Sequence, residues 1–235
     1  MLYQGRADAA EGTAAMTVTA DLDGPRQAPA SGGAAHSLVI LLHGLGADGN
    51  DLFGLAPAFG QILPETAFVS PHAPFPCDMA PMGRQWFSFQ SQTDADILAG
   101  ARAAAPILDA FIDAELARHG LGDDRLALLG FSQGTMMALH VALRRPKACA
   151  AVVGYSGALI APEILAGEIK SRPPVLLVHG EVDEVILFSA MGSSAEALRA
   201  NNVPVHCEAR PGLGHGIDEQ GMAFGAATLK QLLGA

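Results

Sequence analysis

A serine at the boundary between an apolar run and a helical pattern gives the strongest chemical signal in the sequence. Residues 130–134, Gly-Phe-Ser-Gln-Gly, place Ser132 in the pattern G-x-S-x-G, directly after the apolar run 126–129. A serine at the tip of such a strand–turn–helix lifts its hydroxyl clear of the sheet, and the two glycines let the turn close. A helix N-cap with two chance glycines is the alternative. The pattern predicts a serine nucleophile.

A serine hydroxyl is a weak nucleophile at neutral pH, so a base and an acid must accompany it. In this context the expected chain order is serine, then acid, then histidine. His215 follows the last apolar run and stands between Gly214 and Gly216. A histidine in a glycine-bracketed loop suits a base that carries a proton from nucleophile to leaving group. A surface histidine is the alternative, and we expect His215 to be the base.

The candidate acids follow the apolar run 174–180. Glu181, Asp183 and Glu184 lie just beyond it, at the carboxyl end of a predicted parallel strand, where ligand-binding groups of such sheets converge. The residue types alone do not choose between them, because a solvated loop carboxylate gives the same pattern. His179 could join these carboxylates in a metal site, but no second histidine has the usual ligand spacing. We predict no metal.

The segment 41–51, LLHGLGADGND, allows two interpretations. Its residues 44–49 fit G-x-G-x-x-G, which is typical of dinucleotide binding, but such a site needs an acid after the second strand. That strand, predicted at 66–70, ends in Ser-Pro-His instead. A hydrolase needs backbone N–H groups that stabilise an oxyanion, one from this loop and one from the residue after the nucleophile. The missing acid therefore favours the oxyanion interpretation, in which the N–H groups of Leu45 and Gln133 are the donors.

The elements that must position these residues alternate along the chain. Continuous apolar runs are typical of strands buried on both faces of a parallel sheet, and the stretches between them have helical spacing. Alternation of this kind predicts an α/β protein with a mostly parallel, doubly wound sheet and helices on both faces. An antiparallel edge strand is expected within 17–24, and Pro106 should kink or divide the helix that contains it. The predicted strands are 37–43, 66–70, 125–130, 148–156, 174–180 and 203–209, and the predicted helices are 95–119, 132–145, 187–201 and 218–233.

The composition limits the protein class. With 235 residues, 50% hydrophobic and 16% charged, we expect one domain over 16–235, preceded by an extension or expression remnant at 1–15. A net charge of −10 with scattered Lys and Arg argues against nucleic acid, and no apolar run approaches the roughly 20 residues that span a bilayer. Three cysteines without C-x-x-C spacing and no visible secretory signal indicate a cytoplasmic location. The sequence is compatible with a homodimer as well as with a monomer.

The long irregular stretch 71–93 should form the wall of the site, because loops of this length are either functional or disordered. Its apolar side chains could contact an acyl chain, or they could pin the loop to the sheet, and for Trp86 the two roles are equally compatible with the sequence. The substrate-binding candidates are Phe75, Met82, Trp86 and Phe87.

Several motifs in this order resemble the carboxylesterase/phospholipase family of bacterial serine esterases, which is related to acyl-protein thioesterases and lysophospholipases. The matching segments are LLHGLGADGND (41–51), PHAP (71–74), RQWF (84–87), GFSQGTMMALHVALRRP (130–146), HGEVDEVI (179–186) and GLGHGI (212–217). The resemblance implies an α/β-hydrolase fold without a large lid domain. It also implies a triad of Ser132, Asp183 and His215, with Leu45 and Gln133 as oxyanion donors. The chain departs from the family pattern after Asp183, where members often carry proline and valines.

The resemblance implies a serine carboxylesterase that hydrolyses short- to medium-chain esters through an acyl-enzyme on Ser132, without a cofactor. Its substrate would be a small-molecule ester, with lipid-derived esters and thioesters left open. An acyl-protein thioesterase or lysophospholipase would use the same catalytic groups. A non-catalytic binding protein of this fold is the alternative from another class.

Overall fold

The computed structural model describes residues 22–91 and 93–234, which form a seven-stranded sheet, a two-stranded hairpin and helices on both faces of the larger sheet. The predicted extension at 1–15 lies outside the described residues. The strands are β1 (Arg26–Gln27), β2 (Ser37–Leu42), β3 (Thr66–Val69), β4 (Phe75–Pro76), β5 (Arg84–Gln85), β6 (Leu126–Phe131), β7 (Ala151–Tyr155), β8 (Val175–Gly180) and β9 (Val205–Arg210).

The strand order in the larger sheet is β1-β3-β2-β6-β7-β8-β9, and every pair is parallel except β1 with β3. The six long strands are those predicted from the apolar runs. An antiparallel edge strand lies at Arg26–Gln27, just after the predicted segment 17–24. Residues 22–24 of the predicted segment are not in a strand, and 17–21 lie outside the described residues.

The helices are α1 (Gly49–Phe53), α2 (Ala56–Ile62), α3 (Asp94–His119), α4 (Gln133–Ala142), α5 (Leu165–Glu168), α6 (Ser189–Ala200) and α7 (Glu219–Leu233). Short 3₁₀ turns lie at Asp123–Arg125 and Pro162–Ile164. Pro106 does not divide α3, which continues for 26 residues from its N-cap, Thr93, to Gly120 in the left-handed conformation. Among residues 22–91 and 93–234, no helix is both long and apolar enough to cross a membrane.

Alternation along the strands divides the core into two layers. Leu38, Ile40 and Leu42 of β2 face the layer shared with α3 and α4, whereas Val39 and Leu41 face the layer shared with α2 and α7. All six residues of β2 are buried, as expected for a central strand covered on both sides.

The order of the strands reverses beside β2. The chain goes from β2 to β3 on one side and then to β6 on the other, and a crevice forms at the carboxyl ends of strands where such a reversal occurs. The segments that leave β2 and β6 here carry Leu45 and Ser132. The topology therefore brings the predicted oxyanion loop and the predicted nucleophile to one place.

Candidate active site

Ser132 occupies a strained turn between β6 and α4. Its backbone has φ 53° and ψ −118°, a conformation that is costly for a residue with a Cβ. The flanking glycines permit the turn, because a Cβ on Gly130 would lie 2.4 Å from the Gly134 carbonyl carbon, and one on Gly134 would lie 1.8 Å from Leu42 O. The Ser132 N–H donates to Tyr155 O at 2.9 Å. The turn is thus fixed to the next strand.

Two backbone N–H groups lie beside this serine without a partner in the described part of the chain, those of Leu45 and Gln133. Gln133 is the first residue of α4, where backbone donors have no partner within the helix. Leu45 follows Gly44, on which a Cβ would come within 3.4 Å of the Ser132 Cβ. The predicted oxyanion donors therefore flank the nucleophile on adjacent segments.

His43 holds the loop that carries Leu45. The Ala73 N–H donates to His43 Nε2 at 3.0 Å, so the proton of the neutral ring is on Nδ1, which lies 2.7 Å from Gly44 O. Burial lowers the pKa of His43, and the hydrogen bond to Gly44 only partly offsets this effect. The indole of Trp86 donates to His43 O at 3.0 Å. A buried, neutral imidazole thus joins the loop after β2 to the segment 71–93.

The hairpin β4–β5 is also hydrogen-bonded to the loop after β2. Gly46 N–H donates to Arg84 O at 2.9 Å, and Arg84 N–H donates to Ala47 O at 2.7 Å. Gly83 has φ +89°, and a Cβ there would lie 2.0 Å from Gly46 O. The Arg84 side chain donates to the backbone oxygens of Ala73 and Pro74. The predicted wall and the predicted oxyanion loop are therefore one interlocked unit.

Asp183 and His215 meet on neighbouring loops. Asp183 Oδ2 is 2.8 Å from His215 Nδ1, and Asp183 Oδ1 accepts from the N–H groups of Val185 and Ile186 at 2.9 Å each. Burial by itself would raise the pKa of Asp183, but the hydrogen bonds from His215, Ile186 and Val185 outweigh it, and the pKa is lowered. The carboxylate stays charged, and it directs Nε2 of His215 away from itself.

The loops of Asp183 and His215 are fastened to each other by backbone contacts. Val182 N–H donates to Leu213 O at 3.1 Å. A Cβ on Gly180, at the end of β8, would lie 2.2 Å from the same oxygen. Glu181 and Glu184, the other two candidate acids, are exposed, whereas the Asp183 side chain is fully buried.

The His215 ring lies beside the serine turn, because its centroid is 4.8 Å from that of the Phe131 ring, and Phe131 precedes Ser132. Within residues 22–91 and 93–234, no hydrogen bond joins Ser132 Oγ to this ring. Ser132 is 8% exposed, and its hydroxyl can turn about the Cα–Cβ bond. The structure thus brings the serine turn, Asp183 and His215 to one edge of the sheet.

The four predicted substrate-binding side chains divide into two pairs. Phe75 and Met82 are 37% and 80% exposed, and they remain on the surface of the hairpin. Trp86 and Phe87 are 0% and 1% exposed, which disagrees with the prediction that they line a substrate surface. Hydrogen bonds with His43 and Gln133 place them in the packing that fixes the loop.

An apolar cleft of about 290 Å³ lies between α4 and the segment after β7, and it was not predicted from the sequence. Met136 lines it from one turn further along α4, and the segment after β7 reaches it past Gly157, where a Cβ would lie 2.9 Å from Ser132 O. Two signals could have revealed it: the i, i+4 spacing of Ser132 and Met136, and the position of residues 158–161 just past a strand. The apolar side chains that line it are Phe89, Ile97, Met136, Ala158, Leu159, Ile160 and Ala161.

Comparison with known proteins agrees with this architecture. A family profile described as Phospholipase/Carboxylesterase matches residues 28–233. The chain is 29% identical over 196 residues to Esterase YpfH of Escherichia coli (strain K12), covering 83% of each protein. It is 31% identical over 182 residues to Acyl-protein thioesterase 1 of Schizosaccharomyces pombe, covering 74% of this chain and 80% of that one.

The solved structure of esterase PE8 superposes with a TM-score of 0.87 at 40% identity, covering 91% of this chain and all (100%) of that one. The predicted α/β-hydrolase fold is therefore confirmed. The profile match over residues 28–233 includes every segment that forms the site described above. The chain belongs to the phospholipase/carboxylesterase family of hydrolases.

Proposed function

We propose that this protein is a serine carboxylesterase that forms an acyl-enzyme on Ser132. The observation that carries the proposal is the 2.8 Å contact between Asp183 Oδ2 and His215 Nδ1, next to a serine held in a strained turn. An acid-oriented imidazole beside a serine hydroxyl is the arrangement that nucleophilic acyl transfer requires. Kinship with proteins named as esterases supports the same conclusion.

In the proposed reaction, Ser132 Oγ turns toward His215 Nε2 and gives up its proton as it attacks the ester carbonyl carbon. The protonated His215 then delivers that proton to the leaving alkoxide as the carbon–oxygen bond breaks, and the acyl group remains on Oγ. Water then enters and loses a proton to His215 as its oxygen attacks the acyl carbon. The carbon–Oγ bond breaks while His215 returns the proton to Oγ, which releases the carboxylic acid and restores Ser132. Asp183 holds the imidazole orientation and stabilises its charged form throughout.

The N–H groups of Leu45 and Gln133 stabilise the negative charge that develops on the carbonyl oxygen. Both lack a partner among the described residues, so their hydrogen-bonding capacity is available to the tetrahedral intermediate. Gln133 also begins α4, whose N-terminal end favours negative charge. His43 and Arg84 join the segment of Leu45 to the loop 71–93, and the side chain of Gln133 is hydrogen-bonded to the same loop, so both donors are held in place.

The apolar cleft lined by Met136, one helical turn after Ser132, receives the acyl group. Its volume of about 290 Å³ and its lining suit a short- to medium-chain acyl group, in agreement with the expected substrate class. Asp94 and Glu163 also border the cleft, and both are exposed, so a negatively charged acyl terminus is disfavoured there.

Cys77, Cys149 and Cys207 are free thiols, which supports action in a reducing compartment such as the cytoplasm.

A thioesterase is the second candidate, favoured by the 31% identity to a protein named Acyl-protein thioesterase 1. The same groups would attack a thioester, with a thiolate as leaving group. A panel of p-nitrophenyl esters and acyl thioesters of matched chain length separates the two candidates through kcat/KM. Higher values for oxygen esters support the carboxylesterase, and higher values for thioesters support the alternative.

The role of Ser132 is tested on the same panel with the variant Ser132→Ala. We expect turnover to fall by about four or more orders of magnitude, with only binding and oxyanion stabilisation left. Unchanged turnover of p-nitrophenyl acetate by the variant would overturn the proposal.

A further inference from the structure

A second buried histidine, His179, reaches the turn that carries Asp183. It lies near the end of β8 and is 2% exposed. Its Nε2 atom is 2.8 Å from Ile186 O. A carbonyl oxygen can only accept, so Nε2 carries a proton and donates it. His179 therefore holds the far end of the turn 183–186 from the inside of the protein.

The same nitrogen lies close to the carboxylate itself. His179 Nε2 is 3.3 Å from Asp183 Oδ2, the oxygen that faces His215 Nδ1 at 2.8 Å. Ile186 connects the two groups through its peptide atoms, because its N–H donates to Asp183 Oδ1 while its C=O accepts from His179. His179 is thus hydrogen-bonded to one residue that holds the carboxylate, and it also places an N–H dipole beside the carboxylate oxygen.

The outer side of this turn is exposed. Val185 and Leu187 are each 66% exposed, so their side chains contribute little packing that would fix the turn. The ring of His179 packs edge-on against Phe188 at 6.1 Å, a contact that an apolar side chain could also make. What an apolar side chain could not supply is the N–H donor, and a buried imidazole is costly unless its polar atoms are used.

We propose that His179 is a positioning residue, whose N–H holds the turn 183–186 so that Asp183 Oδ2 stays within hydrogen-bond distance of His215. This inference rests on the proposed function, because it assigns His179 to the acid of the triad. His179 does not contact the reacting atoms; it acts through Asp183. Removal of its donor lets the carboxylate turn away from the imidazole.

The test compares His179→Ala, which removes the donor, with His179→Gln, whose side-chain amide restores an N–H at a similar reach. His140→Ala is the matched control, because His140 is also a buried histidine (2% exposed) but lies near the end of α4, away from the turn. We measure kcat and KM on a p-nitrophenyl ester, the melting temperature, and the downfield proton resonance of the His215–Asp183 hydrogen bond.

We expect His179→Ala to lower kcat by about 10- to 100-fold with KM little changed. This is the range found when a residue that orients a metal-ligating side chain is removed, and His179 orients Asp183 in a comparable way. The downfield resonance should broaden or shift in the same variant. His179→Gln should recover most of both signals. His140→Ala should lower the melting temperature while leaving kcat and the resonance within about twofold of the parent values.

Wild-type kcat and an unchanged resonance in His179→Ala would overturn the inference. A Gln variant that folds but behaves like the Ala variant would overturn it as well. A fluorophosphonate probe on the parent protein separates this result from failure of the proposed function. If Ser132 is not labelled, the esterase proposal fails, and the proton resonance still decides whether His179 holds the Asp183–His215 pair.

Discussion

The side-chain amide of Gln133 is bonded to the backbone around Trp86: Oε1 accepts from the Trp86 N–H, and Nε2 donates to Phe87 O, each at 2.8 Å. Gln133 is 1% exposed, and its own backbone N–H is the proposed oxyanion donor. One residue therefore links the start of α4 to the loop 71–93. The loop 71–93 and the start of α4, which carries the proposed oxyanion donor, cannot move independently while these two hydrogen bonds are intact.

Gln133→Ala should therefore destabilise the protein while leaving the backbone N–H in place. The substitution leaves a buried donor and a buried acceptor without partners, each of which costs about 1–3 kcal/mol, so the free energy of unfolding should fall by about 2–6 kcal/mol. Urea unfolding measures the change, and Gln231→Ala on the exposed side of α7 serves as control. A decrease in the free energy of unfolding below about 0.5 kcal/mol, as expected for the control, would show that these two hydrogen bonds do not stabilise the protein.

Ser132→Gly should relieve the strain of the serine turn. At φ 53° a Cβ is costly by about 1–3 kcal/mol, so the glycine variant should be more stable than Ser132→Ala by about 1 kcal/mol. In an ordinary helix the order reverses, which Ser193→Gly against Ser193→Ala in α6 should show. Thermal unfolding of the four variants tests this, and glycine less stable than alanine at position 132 would contradict the described turn.

His140 should make stability depend on pH. Burial, reinforced by Arg144 and Arg102 and partly opposed by Glu168, lowers the pKa of His140 from 6.5 to about 4. Between these values the unfolded chain binds a proton that the folded chain does not, so acidification from pH 6.5 to 4 favours unfolding, by about 3 kcal/mol for this residue.

His140→Leu should remove that part of the pH dependence. Above pH 6.5 the histidine is neutral in both states and this term vanishes, so the two proteins should show parallel stability profiles there. Denaturant unfolding at several pH values gives the two profiles. Equal slopes between pH 6.5 and 4 in the parent and the variant would mean that His140 takes up its proton in the folded state.

Ala158→Leu should shorten the acyl-chain preference. Ala158 is half-buried and lines the apolar cleft, so a larger side chain occupies space meant for the acyl group. We expect kcat/KM to fall for longer p-nitrophenyl esters and to stay near the parent value for the acetate. Ala227→Leu on α7, an exposed position away from the cleft, is the matched control. A uniform loss across chain lengths would place the acyl group elsewhere.

Most of the fold could be predicted from the sequence, because buried parallel strands appear as continuous apolar runs and the helices between them keep a 3.6-residue spacing. The edge strand β1 could not be predicted, because it has only two residues, Arg26–Gln27, with no apolar pattern. Of the two expected effects of Pro106, a kink or a division of the helix, the division was wrong, since α3 continues through Pro106. Packing of Leu108, Ile112 and Leu116 into the core compensates for the missing backbone hydrogen bond.

The site was only partly predictable. The order of serine, acid and histidine could be read from motifs, but the choice of Asp183 rested on resemblance. The roles of His43 and His179 could not be predicted, because they depend on contacts with Ala73 and Ile186 that no local pattern encodes. Trp86 was ambiguous for a similar reason: an aromatic residue in a loop can face the core or a ligand, and only its burial distinguishes the two.

The central claim is that His215 activates Ser132, and the rate of labelling by a fluorophosphonate probe tests it most directly. Mass spectrometry locates the adduct, and the rate is compared between the parent protein and His215→Ala. The account predicts an adduct on Ser132 in the parent and labelling slower by about a thousandfold or more in the variant. Equal rates in the two proteins, or an adduct on another residue, would contradict it.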